Sequence, residues 1–391
     1  MQTFRRQSVQ TSRRGTLLPA IAIGLLVAAG GIALVLDQLW LSSAQSELQT
    51  SANAASLAAA QKLANEELLK PEFDSETWAN AVRQTAAAVA GRNLAVGQPV
   101  FVSTEPSKDV RLGRPVIDDL TGQETYIETD FHPSSVIVMA HRDRESGNPV
   151  SLFMPYLTAQ PYGDVLASSE ASISNSIRAV RPLDHANVPA WPIAILEKDG
   201  DVLDDWNSTI ETAQGSDNFG WDETKKAVIE EPDGLPEMVL KTGSNNELGN
   251  VRIVDLGTGF FDSALVDQFV DGFNWEHLQE FGSELGFEEG PLSLGAVSDF
   301  QGTPIDQLEK QLGQTRIVLL YERGSNPSSN DHETIKATRL VSIRLLSIQQ
   351  IGDEIELIVQ PTIIATRTAV LSDVGDLTQK NKYIYRLALT Q

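Results

Sequence analysis

Clustered carboxylates are the first residues whose spacing suggests chemistry. Asp199, Asp201, Asp204 and Asp205 fall within seven residues, and Asp217, Asp222 and Asp233 follow. Hard oxygen donors of this kind can hold Ca²⁺. The EF-hand order is missing, because the turn glycine is absent and the twelfth position from Asp199 is Ile210. The plain expectation is solvated loop acids, with calcium as the sharper candidate. The histidines, His132, His141, His185, His277 and His332, show no ligand spacing, and His332-Glu333 lacks the second histidine of a zinc-protease helix. No G-x-S-x-G elbow occurs. With no cysteine in the chain, disulfides, thiolate metal sites, iron–sulfur clusters and cysteine nucleophiles are excluded together. The chain is therefore expected not to be an enzyme and to need no cofactor.

One glycine-rich turn remains. Asp255-Leu256-Gly257-Thr258-Gly259 follows a strand-like run and resembles the phosphate loop of actin-like ATPases. Glycines there would let backbone N–H groups approach a phosphate. A turn after a strand needs the same residues for conformational reasons alone, and no second phosphate loop accompanies it. No nucleotide is expected. A net charge of −23 repels phosphate backbones, so no nucleic acid is expected either.

The elements that must position these residues begin with an apolar run. Gly15 to Leu36 reads GTLLPAIAIGLLVAAGGIALVL, without a charge. About 20 such residues span a bilayer core of roughly 30 Å. Pro19 falls in the first turn, where a missing N–H costs little. Arg5, Arg6, Arg13 and Arg14 precede the run, every acid follows it, and Trp40 stands just beyond it. The positive-inside rule then predicts a cytoplasmic basic tail over 1–14 and an extracytoplasmic remainder, in the bacterial inner membrane. A cleaved signal peptide would have a shorter apolar region and a small-residue cleavage site. Here helix-favouring sequence continues to about residue 68, so a retained single-pass anchor is expected.

Two faces of small residues mark this helix. Gly24, Ala28 and Gly31 form one within the bilayer, of the kind that lets helices approach closely. Ala44, Leu48, Ala52, Ala55 and Ala59 form another beyond it, continued by Leu63. The second stripe suits either neighbouring helices of other proteins or the chain's own soluble part.

The run from Arg13 to Ala60 resembles the N-terminal Tad domain of TadG-like (TadE/TadG) Flp pilus-assembly proteins. The resemblance rests on Arg13, Arg14, Gly15, Val35, Asp37, Trp40, Leu48, Gln49, Ala52, Ala54, Ala55 and Ala58, with Leu36 inserted between Val35 and Asp37. Asn53 stands where that family usually has Asp. Gly15 after two arginines also fits a prepilin-peptidase site, but Ala20 replaces the glutamate such sites carry. The resemblance implies a membrane-anchored structural or accessory component of a Tad/Flp pilus or related secretion apparatus. It further implies other pilus-assembly proteins and the lipid bilayer as partners. The Asp-x-Ser-x-Ser pattern of a von Willebrand type A metal site, present in some TadG-like proteins, is missing. The alternative is a membrane-tethered periplasmic module binding calcium or glycan.

The expected fold class is α+β: a long N-terminal transmembrane helix extending into the periplasm, then a β-rich soluble region. The helix is placed at 15–68, a first α+β part at 69–198, an acidic loop at 199–236 and a second β-rich part at 237–391. SSVIVMAHRD is expected to be a strand buried on both faces. PYGDVLASSEASISNSI, polar and small, is expected at a sheet edge.

Overall fold

A computed structural model of the chain describes residues 17–117, 124–158, 160–198, 204–222, 224–242, 249–260, 262–298, 305–323, 333–351, 354–372 and 380–390. Its first element is one uninterrupted helix, α1 (Leu17–Leu63). At 1.5 Å per residue it is about 70 Å long, more than twice a bilayer core. No glycine or proline follows Gly31 within it, so nothing breaks it before Asn65 turns extended and accepts the Glu67 N–H to start a short turn, Glu66–Leu69. The second helix, α2 (Ser75–Arg92), starts at Asp74, whose Oδ1 accepts the N–H groups of Glu76 and Thr77. Its buried face, Trp78, Ala79, Val82, Arg83, Ala86 and Ala90, has helical spacing and lies in one core with α1.

The rest is strand-rich, as an α+β chain should be. In order come β1 (Val110–Ile117), β2 (Glu124–Glu128), β3 (Ser135–Arg142), a short helix α3 (Pro155–Thr158) and β4 (Val165–Ser174). Then come β5 (Ala190–Leu196), β6 (Met238–Lys241), β7 (Val251–Val254), the helix α4 (Asp262–Asp271), β8 (Leu292–Val297) and β9 (Thr315–Glu322). The long β10 (Glu333–Ile351), β11 (Glu354–Pro361), β12 (Ile364–Ala365) and β13 (Ile384–Leu389) complete the two large sheets.

The first sheet has the order β12-β13-β4-β3-β1-β2, antiparallel except for β12 with β13. One face carries Val136, Val138 and Ala140 of β3 and Ala167, Ser169, Ala171 and Ile173 of β4, buried in one core with α1 and α2. Two expectations change here. Ile137 and Met139 are only partly buried, so β3 is covered fully on one side alone. Nor is β4 an edge strand, because β13 returns from the C-terminus and pairs Arg386 to Leu389 with Ser174 to Ala171. The Ala/Ser alternation of β4 reflects its helix-facing side, where small residues admit a close helix backbone. Its edge is supplied by a strand more than two hundred positions later, which local composition does not reveal.

The second sheet has the order β6-β11-β10-β8-β7-β5-β9, and β9 also pairs with β10. Five strands thus close into a ring, all neighbours antiparallel except β5 with β9. Its core is built on Trp191, Phe269, Phe273 and Tyr321, with Trp191 Nε1 donating to the Phe269 carbonyl at 2.9 Å. After α4 the chain turns at Gly272 (φ +80°), where an added Cβ would lie 2.0 Å from the Val188 oxygen. Only glycine serves there.

Candidate membrane anchor and helix interface

The two halves of α1 have opposite surroundings. From Leu18 to Leu36 the large apolar side chains are uncovered: Leu18 is 79% exposed, Leu26 68% and Leu34 60%. An apolar surface this continuous is far larger than a water-soluble protein leaves open. The segment is a helix long and apolar enough to cross a membrane once. Gly24, Ala28 and Gly31 lie in this half and are exposed. A methyl group added at Gly24 or Gly31 would meet no atom within 4 Å among the described residues.

Past Asp37 the helix turns inward. Ala44, Leu48, Ala52, Ala55 and Ala59 are all fully buried, together with Ala60 and Leu63. They share a core with α2 and with the inner face of the first sheet, so this stripe is filled from within the chain. Several polar groups along the seam are paired. Ser56 Oγ and Ser169 Oγ are 3.0 Å apart, and Gln49 Nε2 donates to the Ser168 carbonyl at 2.8 Å. Asn53, where the resemblance implies Asp, accepts from Gln49 at 3.0 Å. A carboxylate in that role would do the same, which explains how the amide fits.

At the changeover, Asp37 is nearly buried and its Oδ1 accepts the Phe153 N–H at 2.8 Å. Trp40 Nε1 donates to the Ser151 carbonyl at 3.2 Å, and its ring lies 4.8 Å from that of Phe153. Trp40 thus has a hydrogen-bonded polar edge and an apolar body, the arrangement that suits a headgroup region. The Asp37–Phe153 link spans 116 positions, and no sequence pattern announces it.

Several of the residues singled out for chemistry have partners within the fold. Of the calcium candidates, Asp199 and Asp201 lie outside the described residues. Asp204 is exposed, whereas Asp205 is buried and accepts the Ser208 N–H at 2.7 Å. Other loop acids hold backbone in the same way. Asp217 accepts from Asp233 and Gly234, Asp222 from Thr224 and Lys225, and Asp233 from Leu235. Those amide bonds, led by the one from Lys225, draw the Asp222 carboxyl below its usual range. Among the described residues no three acids or histidines are grouped to hold a metal ion.

In the glycine turn, Asp255 Oδ1 accepts the Gly257 and Gly259 N–H groups at 2.9 and 2.8 Å. Two of the backbone donors that a phosphate would use are thus bonded inside the loop. The histidines are scattered. His132 stacks on Phe73, His185 is exposed, His277 Nδ1 accepts the Asn274 N–H, and His332 lies outside the described residues. His141 sits between Asp109 and Asp143, at 3.0 and 3.1 Å, but each of those acids also holds a loop amide.

Comparison with the curated proteins and with solved structures gives no match. Residues 15–62 match the family Tad, described as putative Flp pilus-assembly TadE/G-like. The match begins near the start of the membrane-length segment, crosses the Asp37 changeover and ends one residue before α1 does. That span contains both small-residue faces. Over those residues the N-terminal helix of this chain, bare half and docked half together, is similar to the Tad domain of the TadE/G-like pilus-assembly kind.

Proposed function

We propose that the chain is a bitopic structural or accessory component of a Tad/Flp pilus or related secretion apparatus. Its basic tail lies in the cytoplasm and its acidic α+β region outside. The observation that carries this reading is the division of α1 within the family match. The outer half is packed on the first sheet, while the inner half presents Gly24, Ala28 and Gly31 as an exposed face among the described residues. Lipid covers a bare apolar helix, and a small-residue face on it lets a second membrane helix approach closely. Because α1 runs unbroken from one half to the other, a neighbour gripping the span also fixes where the outer body stands. The four arginines before the span support the orientation. The function is assembly, with other pilus-assembly proteins as partners.

The test replaces Ala28 and Gly31 by Leu in the full chain and follows both membrane insertion and co-purification with the other pilus-assembly proteins. Insertion should be retained and co-purification weakened. Co-purification at the wild-type level would defeat the packing idea.

A further inference from the structure

We infer that residues 151–156 and 160–163 form a second membrane contact: an uncharged foot that rests in the lipid headgroup layer beside the end of the span. This rests on the reading of α1 as a membrane anchor and adds to it a surface from a distant part of the chain.

The foot is held to the helix at the changeover. Phe153 N–H donates to Asp37, Trp40 donates to Ser151, and the Trp40 and Phe153 rings are in contact. On the other side, Leu41 packs so tightly on Gly163 that an added Cβ would lie 2.5 Å from Leu41 Cδ2. Asp37 is the first charged residue after an apolar run of membrane length, so helix positions 37 to 41 fall at the membrane–water boundary. A loop fixed to those positions is at the same depth.

Its exposed side chains are the ones that depth favours. Tyr156 is wholly exposed, Phe153 57%, Tyr162 43% and Met154 40%, alongside Leu39 at 62% on the helix itself. Aromatic rings with a polar edge gather in headgroup layers, and apolar residues facing open water do not gather without a partner. Charge points the same way. In a chain of net charge −23, residues 149 to 163 contain no Asp, Glu, Lys or Arg. An acidic loop so close to lipid would be repelled by an anionic leaflet and would resist losing its water. Continuity with the bare span names the occupant of this patch as lipid.

The chain's lack of cysteine makes the test direct. Single-cysteine variants Tyr156→Cys, Leu26→Cys and Lys310→Cys of the full chain are spin-labelled and reconstituted in phosphatidylethanolamine–phosphatidylglycerol vesicles. Collision with oxygen, which concentrates in lipid, is compared with collision with a water-soluble nickel chelate. The label at 26 should read as deep lipid and the label at 310, in the ring-sheet region, as water. The label at 156 should lie between them, with an oxygen-to-nickel ratio several-fold above that at 310. If the label at 26 is in lipid but 156 matches 310, the foot is wrong and the anchor stands. If 26 also matches 310, both fall. Dipolar broadening at 156 that disappears on mixing with unlabelled protein would show a second copy on this patch and overturn the lipid assignment.

Discussion

Arg344 of β10 grips Glu66, just past the end of α1, with both prongs of its guanidinium: Nη1 to Oε2 at 2.8 Å and Nη2 to Oε1 at 2.5 Å. Thr362 donates to the same carboxylate, and the Trp221 ring lies 4.7 Å from the guanidinium carbon. Burial pushes the Glu66 carboxyl above its ordinary value, which Arg344 only partly offsets. This pair ties the C-terminal end of α1 to the ring sheet.

Removing one member should therefore cost more than removing both. Arg344→Met leaves a buried carboxylate without its fork and should destabilise the chain by about 3–5 kcal/mol. The double change Arg344→Met with Glu66→Leu should recover most of that loss. Denaturant unfolding of the full chain in detergent measures both, and a double variant as unstable as the single one would remove the pair from this account.

The same kind of substitution should act oppositely on the two halves of α1. Ala52→Leu or Ala55→Leu forces extra methylenes into a closed seam and should cost about 1–3 kcal/mol. Gly31→Leu meets open space and should leave the melting temperature unchanged, whatever it does to partners. Thermal melts followed by near-ultraviolet circular dichroism distinguish them. Equal melts for Ala52→Leu and Gly31→Leu would mean the seam is loose.

His277 sets an acid limit. Burial lowers its pKa below the ordinary histidine value, and its Nδ1 accepts the Asn274 N–H, which needs a neutral ring. The unfolded chain then takes up a proton before the folded one does, so this contribution is complete above the ordinary value and fades as pH falls through the folded one. Between pH 7.5 and 5.5 the wild type should lose more stability than His277→Gln. Parallel slopes would mean the imidazole is not linked to folding.

Calcium titration of the full chain should give no saturable heat. The carboxylates of Asp205, Asp217, Asp222 and Asp233 already accept loop N–H groups. A saturable isotherm abolished by Asp204→Asn would instead support a tethered calcium-binding module.

The span and its continuation were legible in the sequence because both signals are local. Twenty-odd apolar residues exclude water by composition alone, and alanines spaced at four and three mark a buried face whatever covers it. The acidic loop could be read as acidic but not as built, because an aspartate that caps a turn and one that meets only solvent look alike until the backbone N–H is placed. What covers the alanine stripe was beyond local reading. Ser169 faces Ser56 across 113 positions, β13 shields β4 from the far end of the chain, and Arg344 reaches Glu66 across 278 positions. Short-range periodicity determined that this protein has a membrane-length helix with a small-residue face. Only the tertiary structure decided that the alanine stripe beyond Asp37 is covered by the protein itself, because pairing between distant strands depends on the whole chain closing and leaves no mark in any one segment.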